Sequence, residues 1–252
     1  MNQNVLLLAA VPVAGFVAGF INTLAGTGSL ITLPVLILLG LPATVANGTN
    51  RLGVLMQNIV AVATFRNRGA LEIVGTWKLV VPAVVGSVLG ARLAVDIDQR
   101  MMRNVIGVLM LVMLGIMLLK PERWIAEHAS PRAPRLLIEV PLLFAIGVYG
   151  GFLQAGVGIF LLAALVLGAG FNLVGANGVK NLIVLAVTVV AIPVFVLHDQ
   201  VQWTLGLLLG AGQAVGAWVA ARVAIKRGAA FVRIFVIVTV LLSALALFAG
   251  FG

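Results

Sequence analysis

About ten apolar segments fill this chain, separated by short stretches that contain glycine, proline or charge. Each span of a bilayer needs about 20 apolar residues in a helix, because a helix bonds its backbone polar groups internally. Only 9% of the residues are charged, whereas a soluble domain carries about 25%. We therefore predict an all-α polytopic membrane protein. Its segments are expected near 4–24, 29–40, 43–65, 78–96, 104–119, 136–154, 157–171, 174–197, 203–221 and 231–251.

Sixteen lysines and arginines and seven acidic residues give a net charge of +9, and nearly all of the cations lie in the loops. Cations in loops fix the orientation of a membrane protein, so we expect a lipid bilayer and no nucleic acid as partner. Because successive segments cross the membrane in opposite directions, the loops alternate between its two faces. Eleven of the cations then lie on one face: Arg66, Arg68, Lys78, Lys120, Arg123, Arg132, Arg135, Arg222, Lys226, Arg227 and Arg233. The other face has three: Arg92, Arg100 and Arg103. By the positive-inside rule, the face with eleven cations is cytoplasmic and both termini lie outside.

The two halves of the sequence resemble each other at a constant offset of 130 residues. Ten of the 31 positions in 25–55 are identical to their counterparts in 155–185, and the match includes an Ala-Asn-Gly run at 46–48 and 176–178. Five segments in each half is an odd number, so the second half must start on the opposite side of the membrane. We therefore predict two inverted repeats, 1–119 and 136–252, joined by a cytoplasmic linker, 120–135.

Two segments, 29–40 and 157–171, are too short to span comfortably, and each follows a glycine-rich break. Short interrupted segments at matching places in two halves are typical of a transporter binding site. We expect broken or re-entrant hairpins whose free backbone N–H groups attract an anion. The candidate residues are Gly26, Thr27, Gly28 and Ser29, then Gly156 and Gly158. The alternative is that these glycines only let helices pack closely.

Arg51 and Lys180 are the two cations outside the loops, each about two turns into the third segment of its half. A charge at that depth costs about 2.5–3.5 kcal/mol on insertion scales, and such a cost usually marks function. In inverted repeats the two side chains approach the midplane from opposite sides, where they would hold an anion. Alternatively, they snorkel to headgroups or cap backbone carbonyls.

Embedded polar side chains near the breaks complete the predicted substrate site. Some must simply bond neighbouring helices. Asn47 and Asn177 occupy aligned positions, and the alternative for both is a helix N-cap. The acidic residues fall in loops or at segment ends, so we expect no embedded carboxylate. The further candidates are Asn22, Asn50, Gln154 and Asn181.

The sequence offers little for catalysis, since it has no cysteine and no zinc-protease, nucleophile-elbow or phosphate-binding motif. We expect no enzyme, no cofactor and no metal. The coupling ion is unidentified. Self-association is open, because faces rich in small residues pack within and between chains alike.

The chain resembles the 4-toluene sulfonate uptake permease family, also called the sulfite exporter TauE/SafE family. The resemblance rests on Gly15-x-x-x-Gly19, the break at 25–28, the stretch at 46–50 and their echoes at Gly147-x-x-x-Gly151 and 155–158. It implies secondary transport of a sulfur-containing anion, such as an organosulfonate, sulfite or sulfoacetate, in a bacterial inner membrane. The alternatives are a passive anion channel, a transporter of a non-sulfur organic anion, a membrane enzyme or a structural subunit.

Overall fold

The computed structural model describes residues 3–71, 75–118 and 136–249, and this part of the chain forms helices without a strand. The predicted linker, 120–135, lies outside the described residues. The helices are α1 Gln3–Ala25, α2 Ser29–Leu38, α3 Ala43–Asn67, α4 Trp77–Val95, α5 Gln99–Leu118, α6 Leu136–Phe152, α7 Val157–Ala163, α8 Leu173–Leu197 and α9 Trp203–Ala249. A π-helical turn, Ala164–Gly168, continues α7.

The outer surface of the molecule is apolar. Leu38, Leu137 and Leu197 are each more than 80% exposed, which suits contact with lipid rather than water. Three described helical stretches are long and apolar enough to cross a membrane: Trp77–Val95, Leu173–Leu197 and Trp203–Phe235. The prediction of an all-α membrane protein is therefore confirmed.

Two helix boundaries differ from those expected. Helix α5 begins at Gln99 rather than near 104, because the carboxylate of Asp98 accepts a hydrogen bond from the backbone N–H of Met101 at 2.9 Å and caps the first turn. Charged residues in the first turn of a helix look like a loop in the sequence. Helix α9 is interrupted at Gly228, where φ is 74° and ψ is −171°. The two segments predicted for this region are its two helical stretches.

Two helix pairs pack with their backbones in contact: α1 with α9, and α4 with α6. A Cβ added to Gly19 would overlap the carbonyl of Gln213, and one added to Gly90 would overlap that of Val148. Small residues permit this approach. The first helix of each predicted half therefore packs on the fourth helix of the other half. The glycines at these contacts are Gly15, Gly19, Gly212 and Gly216, then Gly86, Gly90, Gly147 and Gly151.

The two predicted breaks meet in the interior. Helix α1 ends before Gly26, with φ of 78°, and α6 ends four residues before Gly156, with φ of 75°. Both torsions lie in the left-handed region that glycine adopts readily. A Cβ on Gly26 would overlap the Cα of Gly158, and the converse also holds. Only glycines allow the breaks to touch, and the short helices α2 and α7 start from this point.

Candidate functional site

Lys180 of α8 binds the C-terminal end of α1. Its Nζ donates to the carbonyl oxygens of Asn22 at 3.0 Å and Thr23 at 2.7 Å, and to Oδ1 of Asn177 at 2.9 Å. The side chain is 1% exposed. An ammonium group has three donors, so all three have an acceptor. The charge lies against the partially negative end of a helix, where a cation is stabilised.

Arg51 of α3 binds the C-terminal end of α6. Its terminal nitrogens donate to the carbonyl oxygens of Gly150 at 3.2 Å, Gly151 at 2.5 Å and Phe152 at 3.3 Å. The guanidinium carbon lies 4.3 Å from the centroid of the Phe195 ring, a cation–π distance. The side chain is fully buried, and its Nε has no partner within the described ranges.

The two cations thus make reciprocal caps. The third helix of each predicted half caps the first helix of the other half, which ties the halves together through four elements. This geometry is the carbonyl-capping alternative stated above for both residues. Lys180 also borders a polar space between the two breaks, whereas Arg51 does not.

A small cavity lies between the two breaks, and its volume of about 10 Å³ for the centre of a water-sized sphere is about the room that one water molecule needs. Among the residues that line it, Lys180 is the one with a charged side chain. Gly26 and Gly158 form its backbone wall where the breaks meet. Its lining residues are Asn22, Gly26, Ser29, Val54, Gln57, Asn58, Gln154, Val157, Gly158, Lys180, Asn181 and Val184.

Hydrogen bonds fix the first break against α1 and α3. Nδ2 of Asn22 donates to Oε1 of Gln57 at 3.0 Å, and Oδ1 of Asn22 accepts from the N–H of Gly28 at 3.3 Å. Asn50 bridges to the start of α2, since its Nδ2 donates to Oγ of Ser29 at 3.1 Å and its Oδ1 accepts from Thr32 at 2.6 Å. Embedded amides therefore hold the break in position.

The second break has its own supports. Nε2 of Gln154 donates to Oγ1 of Thr188 at 2.5 Å, and the hydroxyl of Tyr149 donates to the carbonyl of Ala155 at 2.5 Å. Nδ2 of Asn47 donates to the carbonyl of Phe152 at 2.9 Å. Residues of α3 and α8 thus fix the unwound segment that follows α6.

Three residues that line the cavity keep polar atoms without a partner in the described part of the chain. They are Nε2 of Gln57, Oδ1 of Asn58 and Oε1 of Gln154, all buried. A buried polar atom without a hydrogen bond costs about 1–3 kcal/mol. Groups that retain such a cost inside a cavity are available to a ligand or to water.

The structure brings together about half of the predicted site residues. The cavity is lined by Asn22, Gly26, Ser29, Gln154, Gly158, Lys180 and Asn181. The remaining candidates support it from outside this lining: Arg51, Asn47, Asn50, Thr27, Gly28, Gly156 and Asn177. The N-cap alternative for Asn47 and Asn177 is wrong, because both lie inside helices. Pro42 precedes α3, and Asn172 caps α8 by accepting from the N–H of Gly175 at 2.7 Å.

Two polar lining residues, Gln57 and Asn58, fall outside the predicted set. A pattern in the sequence points to them, because Asn50, Val54, Gln57 and Asn58 are spaced at intervals of three and four and share one helix face. That face of α3 points at the breaks. Extending the site by two helical turns from Asn50 would have included both residues.

Glu139 is an exception to the expected absence of an embedded acid. It lies in the first turn of α6, at a segment end as predicted, but its side chain is only 3% exposed. Its Oε1 lies 3.5 Å from the position that a Cβ on Gly168 would occupy. It does not line the cavity between the breaks.

Comparison with known proteins identifies the family. The model of the sulfite exporter TauE/SafE family matches residues 11–247. A probable membrane transporter protein of Sinorhizobium sp is 32% identical over 94% of this chain and 91% of its own length. A probable membrane transporter protein of Haemophilus influenzae is 29% identical over 94% of this chain and 93% of its own length. Another, of Escherichia coli K12, is 28% identical over 98% of this chain and 92% of its own length. No solved structure matches the chain. The chain therefore belongs to the sulfite exporter TauE/SafE family of membrane transporters.

Proposed function

We propose that this protein is a secondary transporter of a sulfur-containing anion, with its substrate site in the cavity between the two breaks. The observation that carries the proposal is the position of Lys180, a buried cation that lines a polar cavity beside two unwound segments. Embedded ionisable residues in membrane proteins mark substrate pathways. The family description supplies the substrate class.

Arg51 and Lys180 have different roles in this proposal. Lys180 provides the charge that faces the substrate. Arg51 holds the end of α6 through three carbonyls and so supports the second break from behind. The unpartnered donor on Gln57 is the neutral group best suited to an anionic oxygen.

Alternating access would follow from movement of one predicted repeat against the other. The reciprocal contacts support inverted repeats, because α1 packs on α9 as α6 packs on α4, and each third helix caps the opposite first helix. Transporters of this kind bind substrate at the repeat interface near the bilayer midplane. The face with eleven cations is expected to be cytoplasmic.

The test is a thermal-shift panel on purified protein with sulfite, methanesulfonate, 4-toluenesulfonate, sulfate and acetate. We expect a sulfur anion to stabilise the wild type, and Lys180→Gln to weaken its binding by about tenfold or more, which corresponds to about 1.4 kcal/mol. Lys226→Gln removes a lysine from an exposed position on α9 and is the matched control. Lys180→Arg keeps the positive charge. Its binding therefore shows whether an effect of Lys180→Gln comes from loss of the charge or from loss of the cap on α1.

Binding that survives Lys180→Gln unchanged would contradict this site. Stabilisation by acetate but by no sulfur compound would move the substrate class to carboxylates. Counterflow in proteoliposomes separates mechanisms, because a carrier exchanges labelled for unlabelled anion whereas a passive channel does not.

A further inference from the structure

An exposed stripe runs along the first helical stretch of α9. Exposed residues recur there at intervals of three or four, which places them on one side of the helix. Between two tryptophans the stripe is aliphatic, and it ends in an arginine. We call it the lipid-facing stripe, and its residues are Trp203, Leu207, Ala211, Val215, Trp218 and Arg222.

The lipid-facing stripe is about as long as the hydrocarbon core of a bilayer is thick. At 1.5 Å per residue, the helix from Trp203 to Arg222 is about 28 Å long, and the hydrocarbon core is about 30 Å thick. Tryptophan favours the boundary between hydrocarbon and headgroups. With Trp203 at the outer boundary, Arg222 therefore lies at the depth of the headgroups on the face expected to be cytoplasmic.

Trp218 supports the guanidinium of Arg222. The guanidinium carbon lies 3.7 Å from the centroid of the Trp218 ring, a cation–π distance, and Trp218 is 42% exposed. Stacking covers a face of the planar group and leaves the N–H donors at its edge available. The described residues give Arg222 no hydrogen-bond acceptor. A guanidinium edge matches the oxygens of a phosphate, which it can bind through two parallel hydrogen bonds.

The chain turns back directly after this arginine. The ring of Phe235 lies 5.3 Å from that of Phe20 in α1, and the backbone of Phe20 lies against Gly216. An unbroken helix would place residues 216 and 235 about 28 Å apart. The left-handed Gly228 therefore reverses the chain, and the second stretch of α9 returns beside α1.

Further cations collect at this turn. Lys226 and Arg227 precede Gly228, and Arg233 follows it and keeps a buried Nε without a partner in the described part of the chain. Like charges one helical turn apart repel each other. Helix α9 packs on α1, α3, α5 and α8, and none of these five helices contains an acidic residue. A counter-charge for the turn must therefore come from outside these helices.

We propose that the turn at Gly228 binds an anionic phospholipid, with its phosphate on Arg222 and an acyl chain along Val215 and Ala211. The lipid comes from the leaflet that surrounds this end of α9. The charge of Lys226 and Arg227 selects a headgroup with a net negative charge, because it repels the ammonium group of a zwitterionic headgroup. This inference concerns a second site and does not rest on the proposed function.

Native mass spectrometry of the purified protein can count the bound lipid. Dioleoyl phosphatidylglycerol and dioleoyl phosphatidylethanolamine, which share acyl chains and differ in charge, are each titrated onto the wild type. We expect phosphatidylglycerol to bind at least about fivefold more tightly, the factor that one cation contributes beside anionic lipid. Arg222→Gln should remove most of this preference. Trp218→Leu keeps an apolar side chain but loses the ring, and should weaken phosphatidylglycerol binding about threefold.

Arg66→Gln is the matched control. Arg66 is exposed in the last turn of α3, on the same expected face, so its replacement removes an equal charge from another helix end. We expect it to leave the preference for phosphatidylglycerol within about twofold of the wild type. Arg222 and Trp218 are themselves exposed, so both variants should fold, and their thermal midpoints without added lipid check this.

Three results would overturn the inference. The first is equal binding of the two lipids by the wild type. The second is an equal loss of preference in Arg66→Gln and Arg222→Gln, which would show that the whole basic face attracts lipid without a site at the turn. The third is binding of glycerol 3-phosphate as tight as that of phosphatidylglycerol, which would make the ligand a free phosphate ester. A failure of all anions in the thermal-shift panel would contradict the proposed function and leave this inference intact.

Discussion

Arg51 uses both terminal nitrogens of its guanidinium on backbone carbonyls, and its side chain has no exposed surface. The planar fork matches adjacent carbonyl oxygens better than an ammonium group does. Lys180 reaches its carbonyls as a point charge and at the same time lines the cavity between the breaks. The difference between the two cations is therefore one of position as well as chemistry.

Removing the Arg51 side chain should cost stability. Arg51→Ala removes three hydrogen bonds at the end of α6, although the carbonyl of Phe152 keeps the one from Asn47. Each hydrogen bond to a charged group contributes about 1.5–3 kcal/mol. We expect a clear fall in the thermal midpoint of unfolding. Arg51→Lys should lose less, since it keeps the charge but not the fork.

Arg100→Ala is the matched control, because Arg100 is exposed in the first turn of α5. A midpoint for Arg51→Ala equal to that of Arg100→Ala would mean that the capping contacts contribute nothing. Ligand affinity measured on the folded fraction separates this structural role from substrate binding.

Sequence predicts these residues better than it predicts their partners. Arg51 and Lys180 stand out because a charge between apolar segments is rare. The acceptors are backbone carbonyls, which every residue has, so nothing in 150–152 or 22–23 identifies them. Gln57 and Asn58 were missed for a different reason, since their shared helix face becomes significant only once α3 is known to face the breaks.

At the scale of elements, glycine spacing predicts where helices break and where they touch. Breaks are expected from glycine at 25–28 and 155–158, and the structure has them at 26–28 and 153–156. The π-helical turn after α7 was not expected, because a wider helical turn in 164–168 leaves no mark in an apolar run. The start of α5 was misjudged because charged residues at a helix end look like loop.

The α4 and α6 contact should be sensitive to added volume. In Gly90→Leu the new side chain meets the carbonyl of Val148 and the next turn of backbone, neither of which can move aside easily. Overpacking costs about 1–3 kcal/mol, and occasionally more; a clash with backbone belongs at the upper end. We expect little monodisperse protein on size exclusion and a lowered thermal midpoint.

Val88→Leu is the control in the same helix, because Val88 is 38% exposed and faces outward. Normal yield and stability for Gly90→Leu would show that the two helices separate more readily than their backbone contact indicates.

The whole molecule has an orientation that its charges predict and that labelling can test. The chain has no cysteine, so a single introduced cysteine gives an unambiguous signal. Gln99→Cys lies at the start of α5, on the face with few cations, and Ser130→Cys lies in the predicted linker. The positive-inside rule puts the first outside and the second in the cytoplasm.

A membrane-impermeant maleimide added to intact cells should label the cysteine at 99 and leave the one at 130 unlabelled until the membrane is opened. The reverse pattern would invert the orientation. Labelling of both in intact cells would contradict an odd number of crossings between them.

The reciprocal caps also impose an order on biosynthesis. Arg51 enters the membrane about a hundred residues before the carbonyls of Gly150, Gly151 and Phe152 are made, whereas Lys180 meets the end of an α1 that already exists. During that interval the first half carries a buried charge without its acceptors, at a cost on insertion scales of about 2.5–3.5 kcal/mol. We therefore expect the nascent α3 to stay near the headgroups or in the translocon until α6 is made.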